Sequence, residues 1–256
     1  MSGDDPLRRR FAASAPLMAE QTASNAAELG DRVARFAGLA GTERVLDAGT
    51  GTGTLAVGIA PHAHEIVGVD LVPELLSAAR RLASGQGNVS FVQADVLALP
   101  FEPETFDLAA SSRTLHHVAR PELLVSELAR VTRPAGRVLL IDQLASPDPL
   151  EGMAHDRIER LRDPSHTRTL SDQDVRGLLE ANSLVLSRFE TFREERDLDR
   201  FLDLGACHGA PRKAVFQEVE RLVEQGDRAG IDLRRTAEGY GLTVTVGFYL
   251  AAKPTR

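Results

Sequence analysis

Between residues 45 and 145 the chain alternates short apolar runs with longer amphipathic stretches. The runs fall at 45–46, 65–69, 89–92, 106–110 and 136–141. Each is brief and nearly uninterrupted by polar residues, which predicts parallel strands covered on both faces. Between them lie helical patterns. Residues 73–82 open on Pro73 and place Leu75, Leu76, Ala79 and Leu82 on one side. Residues 121–131 open on Pro121 and do the same with Leu124, Leu128 and Val131, with Pro134 expected to stop the helix. Proline suits a first helical turn, and the apolar spacing is that of one buried stripe. Such alternation predicts right-handed βαβ units and a doubly wound, Rossmann-like α/β sheet.

The flanks read differently. Residues 7–39 are Ala-rich and helical, with Leu29, Val33 and Phe36 at helical spacing. Residues 147–182 read as two polar helices around Arg162-Asp163-Pro164-Ser165-His166. A sixth strand begins at Leu184-Val185-Leu186, residues 197–229 look helical, and residues 242–251 alternate as a final strand. No repeat or linker divides the chain, so 1–256 is read as one domain. Its cofactor-binding core is 44–145, segments 7–39 and 147–182 are lid and acceptor-binding elaborations, and 184–256 supplies the C-terminal strands and helices.

Charge and composition narrow the partners. There are 30 Lys+Arg against 37 Asp+Glu, a formal net charge of −7, and only Lys213 and Lys253 are lysines. Phosphate-backbone binders rely on clustered cations, so nucleic acid is not expected as a partner. Arg8-Arg9-Arg10 is the one basic run and is read as a solvated end. The lone Cys207 excludes an internal disulfide and a Cys-built zinc site. Met1-Ser2-Gly3-Asp4-Asp5 has acid before base and no apolar h-region, so no signal peptide is expected. No run of about 18 apolar residues occurs, so no membrane span is expected. The expectation is a cytoplasmic globule, monomeric or homodimeric.

The strongest local signal is Val45-Leu46-Asp47-Ala48-Gly49-Thr50-Gly51-Thr52-Gly53-Thr54-Leu55, a strand entering three alternate glycines and then a helix. Glycines there permit positive φ and let a ligand lie against the backbone, at the carboxyl end of a strand where such sheets bind ligands. Asp70 closes the second strand 17 residues after Gly53, where a carboxylate can accept from two ribose hydroxyls. Nicotinamide and S-adenosylmethionine enzymes share that arrangement, and Gly51, Gly53 and Ala56 fit the nicotinamide spelling. Two acids separate them. Asp47 puts a negative charge beside the loop, which suits a cationic sulfonium and ammonium and opposes a pyrophosphate. Asp95, after the third strand, is placed to accept from an exocyclic adenine amine. A strand-end cap for Asp47 and a turn-former for Asp95 are the plain alternatives.

These residues resemble those of the class I S-adenosylmethionine-dependent methyltransferases, in the group related to the ubiquinone/menaquinone C-methyltransferases. The resemblance runs through Asp47-Ala48-Gly49-Thr50-Gly51-Thr52-Gly53, Val67-Gly68-Val69-Asp70, Ala94-Asp95-Val96, Leu99-Pro100-Phe101, Phe106-Asp107-Leu108, Leu115-His116-His117 and Arg133-Pro134-Ala135-Gly136-Arg137. Arg162-Asp163-Pro164-Ser165-His166 and the closing Lys253-Pro254 extend a weaker resemblance to almost the whole chain. It implies a seven-stranded sheet whose last strand is antiparallel, S-adenosyl-L-methionine as cofactor and S-adenosyl-L-homocysteine as product. It further implies that Gly49, Gly51 and Gly53 bend around the amino-acid end of the cofactor, with Asp47 facing its ammonium. Asp70 would hold the ribose, Leu71 would pack on adenine, and Asp95 with the Val96 N–H would read the adenine edge. Ser112 would line the cofactor through its backbone.

Methyl transfer from a sulfonium depends chiefly on in-line approach, with a base only where the acceptor must lose a proton. His117, and next to it His116, follow the fourth strand and are the candidate bases. The alternative is that one caps a helix while the other packs on the sheet. His155 and His166 are read as structural or surface residues, and Arg113 as paired with a carboxylate, with binding of an acidic acceptor as its alternative. His62-Ala63-His64 is read as solvated rather than metal-binding, and residues 157–162 as a solvated helix face, with screening of an acidic substrate as the alternative. The function expected is methyl transfer to a small-molecule acceptor at carbon, oxygen or nitrogen, with no metal. A non-methylating reaction on the same fold, such as a cyclisation, is the second hypothesis, and a nicotinamide oxidoreductase the third.

Overall fold

The computed structural model describes residues 6–255. The acidic opening at residues 1–5 lies outside them. The first strand, β1 (Arg44–Ala48), is followed by α2 (Thr54–Ile59), β2 (Glu65–Asp70), α3 (Pro73–Leu82) and β3 (Val89–Gln93). Then come β4 (Phe106–Ser112), α4 (Pro121–Val131) and β5 (Thr132–Leu144). A long N-terminal helix, α1 (Pro6–Ala37), precedes this core. After it come α5 (Pro149–Arg162), α6 (Asp172–Ala181), β6 (Val185–Asp197), α7 (Leu198–Leu204), α8 (Gly209–Glu224), β7 (Arg234–Arg235) and β8 (Tyr240–Ala252).

The sheet order is β3-β2-β1-β4-β5-β8-β6. Strands β1 to β5 run parallel, and β8 is inserted antiparallel between β5 and β6. The expected seven strands with an antiparallel last strand are present. The two-residue β7, which pairs with β8, is an addition that two charged arginines gave no sign of. A second difference concerns α4, which ends at Val131, three residues before Pro134, and Pro134 lies within β5. The Thr132 Oγ1 donates to Leu128 O at 2.7 Å and closes the last helical carbonyls in place of a proline stop.

Successive core residues point to opposite faces, as period-2 strands require. Val45, Leu108, Ala110, Leu139, Ile141 and Phe248 pack under α1, α2, α5, α7 and α8. Leu46, Ala109, Val138, Leu140 and Tyr249 pack under α4 and α6. One crossing is closer than side chains permit. A Cβ on Gly30 of α1 would lie 2.0 Å from Gly58 O, and a Cβ on Gly58 of α2 would lie 2.1 Å from Ala26 O. Backbone therefore touches backbone where α1 crosses α2, which presses α1 onto the loop after β1.

Candidate active site

The strand order reverses at β1, whose neighbours are β2 on one side and β4 on the other. A doubly wound sheet opens a crevice there, at the carboxyl ends of the strands. The glycine loop fills its floor. Gly49, Gly51 and Gly53 have φ of 78°, 56° and 87°, and the Gly49 and Thr50 N–H groups donate to Val69 O at 2.8 and 2.9 Å. Side chains other than glycine resist that conformation. At Gly49 space forbids one as well, since a Cβ would lie 2.3 Å from Thr114 Oγ1. Around Gly51 only Met18 Cε comes near, at 3.9 Å.

Three acids stand around this loop. Asp47 is 1% exposed, and its Oδ2 accepts from Thr50 Oγ1 at 2.6 Å and Ala56 N at 3.2 Å. Its Oδ1 is buried without a hydrogen-bond partner among the described residues. Burial pushes the carboxyl up to about 6. An orphaned acid oxygen behind a glycine cradle fits a cationic group and would be a poor neighbour for a phosphate. Asp70 is half-buried, accepts from Gly51 N at 2.8 Å and Val72 N at 2.9 Å, and burial raises it too. Each of its oxygens keeps a second lone pair for a hydroxyl. Asp95 accepts from Leu97 N at 2.9 Å in a tight turn, with Val96 half-buried beside it. Leu71 is half-buried and follows Asp70 directly. Ser112, the last residue of β4, accepts from Thr114 Oγ1 at 3.1 Å, and the same hydroxyl reaches Gly49 O at 3.3 Å. So Thr114 stitches the end of β4 to the glycine loop.

The two candidate bases lie in a short 3-10 turn, Leu115–His117. His116 is buried, and its Nδ1 meets Asp142 Oδ1 at 2.6 Å. His117 is half-buried, and its ring meets Phe11 of α1 edge-on at 5.0 Å. Its Nδ1 lies 3.2 Å from Ser165 Oγ. Burial, reinforced by His116 and Arg10, holds the His117 imidazole well below its ordinary value, so the ring is neutral. Neither histidine caps a helix.

Helix α1 and the loop after α5 both reach this part of the molecule. Thr167 donates from its N and its Oγ1 to His116 O, both at 2.9 Å, which zips the loop after α5 onto the 3-10 turn. Thr22 of α1 shares hydroxyl contacts with Thr52 at 2.6 Å and Thr54 at 2.7 Å, which seats α1 over the glycine loop. Arg10 is not the solvated end its neighbours suggested. Its guanidinium pairs with the fully buried Asp163 at 2.7 Å, and burial, partly offset by Asp163, lowers it to about 10.

The face at 157–162 also departs from expectation. Arg157 and Arg160 are exposed, but Ile158, Glu159 and Arg162 are buried. Burial would raise Glu159; Arg162 and His155 instead hold it well below the ordinary carboxylate range. His155 and His166 are both buried rather than at the surface, the latter 2.9 Å from Asp156. Arg113 pairs with Glu194. His62 pairs with Asp31 at 2.8 Å, and no metal-holding group of acids, histidines and cysteine occurs among the described residues. Cys207 is free and buried. Sequence reasoning missed Asp142, Phe11 and Thr22, whose only signal was polarity or aromaticity inside apolar elements.

Comparison with known proteins identifies the family. The profile of a methyltransferase domain matches residues 46–140. An uncharacterized methyltransferase, YcgJ of Bacillus subtilis, is 32% identical over 188 residues, 73% of each chain. A demethylmenaquinone methyltransferase of Clavibacter sepedonicus is 34% identical over 129 residues, 50% of this chain and 53% of that protein. The chain thus spans about half the length of that quinone enzyme. The crystal structure of the Bacillus subtilis YcgJ protein superposes with a TM-score of 0.80 at 25% identity, covering 95% of this chain and 99% of that one. The chain belongs to the class I S-adenosylmethionine-dependent methyltransferases, and its cofactor is S-adenosylmethionine.

Proposed function

We propose that this enzyme methylates a small-molecule acceptor at carbon, oxygen or nitrogen, without a metal. The observation that carries the cofactor side is Asp47, a buried acid with one unpartnered oxygen behind a glycine loop. In this reading Asp47 faces the ammonium of S-adenosylmethionine, and Gly49, Gly51 and Gly53 let its amino-acid end lie against the backbone. Asp70 takes the ribose hydroxyls, Leu71 packs on the adenine, and Asp95 with the Val96 N–H holds the adenine edge. Ser112 lines the cofactor through its main chain. The cofactor supplies an electrophilic methyl group, and the chain's task is to orient the acceptor and keep water out.

His116 and His117 belong to the acceptor side, with different work. Asp142 orients His116 and faces the positive charge that the ring would acquire on taking a proton, which suits a general base. His117 is neutral and stands against Phe11, which suits contact with an aromatic or enolic acceptor. A ubiquinone/menaquinone biosynthesis C-methyltransferase of Syntrophotalea carbinolica, 39% identical over 116 residues, supports carbon as the first atom to test. The charge of −7 supports a small acceptor over nucleic acid.

The test is incubation with S-adenosylmethionine and a panel of phenols, enols and amines, read by mass spectrometry for added CH₂ and for S-adenosylhomocysteine. Methylated product that His116→Ala reduces by about 10²- to 10⁴-fold agrees with a base. Consumption of an acceptor without added CH₂ would favour the non-methylating alternative.

A further inference from the structure

The segment Arg162-Asp163-Pro164-Ser165-His166 has no role in the reading so far, yet its serine stands where three elements meet. Ser165 Oγ lies 2.6 Å from Asp163 Oδ1 and 3.2 Å from His117 Nδ1. Asp163 Oδ1 also accepts from Ser165 N at 2.9 Å, and Oδ2 faces the Arg10 guanidinium at 2.7 Å. A carboxylate surrounded by a guanidinium, an N–H and a hydroxyl can only accept. Ser165 has one hydroxyl hydrogen, and Asp163 takes it. The serine oxygen can then meet His117 Nδ1 only as an acceptor, so Nδ1 carries the ring proton and Nε2 keeps its lone pair.

We infer that Ser165 is a positioning residue: held by Asp163 and Arg10, it fixes His117 in the Nδ1–H tautomer, leaving Nε2 to accept a proton or hydrogen bond from the acceptor. Asp142 acts on His116 in the same sense, through its 2.6 Å contact to Nδ1. The two adjacent imidazoles, 4.1 Å apart between ring centres, then carry the same tautomer by two independent devices. Arg10 makes the first turns of α1 part of the first device, because it supplies the cation opposite Asp163. The assignment rests on placing His117 on the acceptor side, but the tautomer itself is measurable without any acceptor.

The experiment is long-range ¹H–¹⁵N correlation of the histidine side chains in the full chain, with His117 assigned by the signals missing from His117→Asn. The expected result is a neutral His117 with Nδ1 protonated in the wild type. Ser165→Ala should shift it towards the Nε2–H form, and Ser165→Thr, which keeps the hydroxyl, should restore the wild-type pattern. A His117 protonated on Nε2 in the wild type, or one whose pattern Ser165→Ala leaves unchanged, overturns the inference. Calorimetry with S-adenosylmethionine on the same samples separates the two failures. A protein that shows the serine-dependent tautomer but binds no S-adenosylmethionine would contradict the function proposed above and leave Ser165's role standing.

Discussion

At the scale of single residues, Asp47 shows how a site can be bought with stability. Its carboxyl is held at about 6 by burial, above the ordinary value near 4. A raised acid pKa means that the folded state binds the proton more tightly than the unfolded one. The contribution is therefore favourable at low pH and lost as pH rises through about 6. At neutral pH the ionised, half-partnered acid opposes folding by on the order of 3 kcal/mol. Asp47→Asn should raise the melting temperature of the ligand-free protein while weakening S-adenosylmethionine binding. A cationic ligand needs the ionised form, so wild-type affinity should rise with pH up to about 7 and then level off, and at pH 5 it should be about tenfold below the plateau. Titration calorimetry across that range checks the slope, which should vanish in Asp47→Asn. Asp70→Ala should weaken cofactor binding by roughly 1.5–3 kcal/mol, the loss of hydrogen bonds to a charged group. Unchanged affinity would remove Asp70 from the site.

At the scale of elements, the helices are set by close approach and by caps. Gly58→Ala would drive a methyl group into Ala26 O, at 2.1 Å, and force α1 away from α2. Such overpacking costs about 1–3 kcal/mol, and denaturant unfolding should show it. Gly177→Ala is the contrasting case. It is exposed within α6 with nothing within 4 Å of the added methyl, and should stabilise by about 0.5–1 kcal/mol. The start of α6 is a reciprocal cap, in which Ser171 Oγ accepts from Asp174 N at 3.1 Å and Asp174 Oδ2 accepts from Ser171 N at 2.9 Å. Ser171→Ala should therefore lose about 0.5–2 kcal/mol. Equal stability of Ser171→Ala and the wild type would show that α6 is held by its packing alone.

At the scale of the whole molecule, what could be read from the chain was whatever repeats with a local period. The runs at 65–69 and 106–110 lie in β2 and β4, and the stripe opening at Pro73 became α3, because strand and helix periods are written in adjacent residues. The glycine loop and its three acids were legible for the same reason, since each acid stands at or just past the carboxyl end of its own strand. What stayed hidden depends on residues far apart in sequence. Asp142 reaches His116 across 26 positions, and Arg10 of α1 reaches Asp163 in the loop after α5, contacts that no local period records. Buried ion pairs break the rule that charges face water, which is why the 157–162 face and the Arg8-Arg9-Arg10 run were misjudged. On this reading the carboxyl ends of β1, β2 and β3 form a site for a cationic adenosyl ligand. Calorimetry of the wild type with S-adenosylmethionine and with NAD, repeated on Asp47→Asn, Asp70→Ala and Asp95→Ala, tests it most directly. The expected result is binding of S-adenosylmethionine alone, weakened by each of the three substitutions. Binding of NAD in its place, or affinity for S-adenosylmethionine unchanged in all three variants, would contradict it.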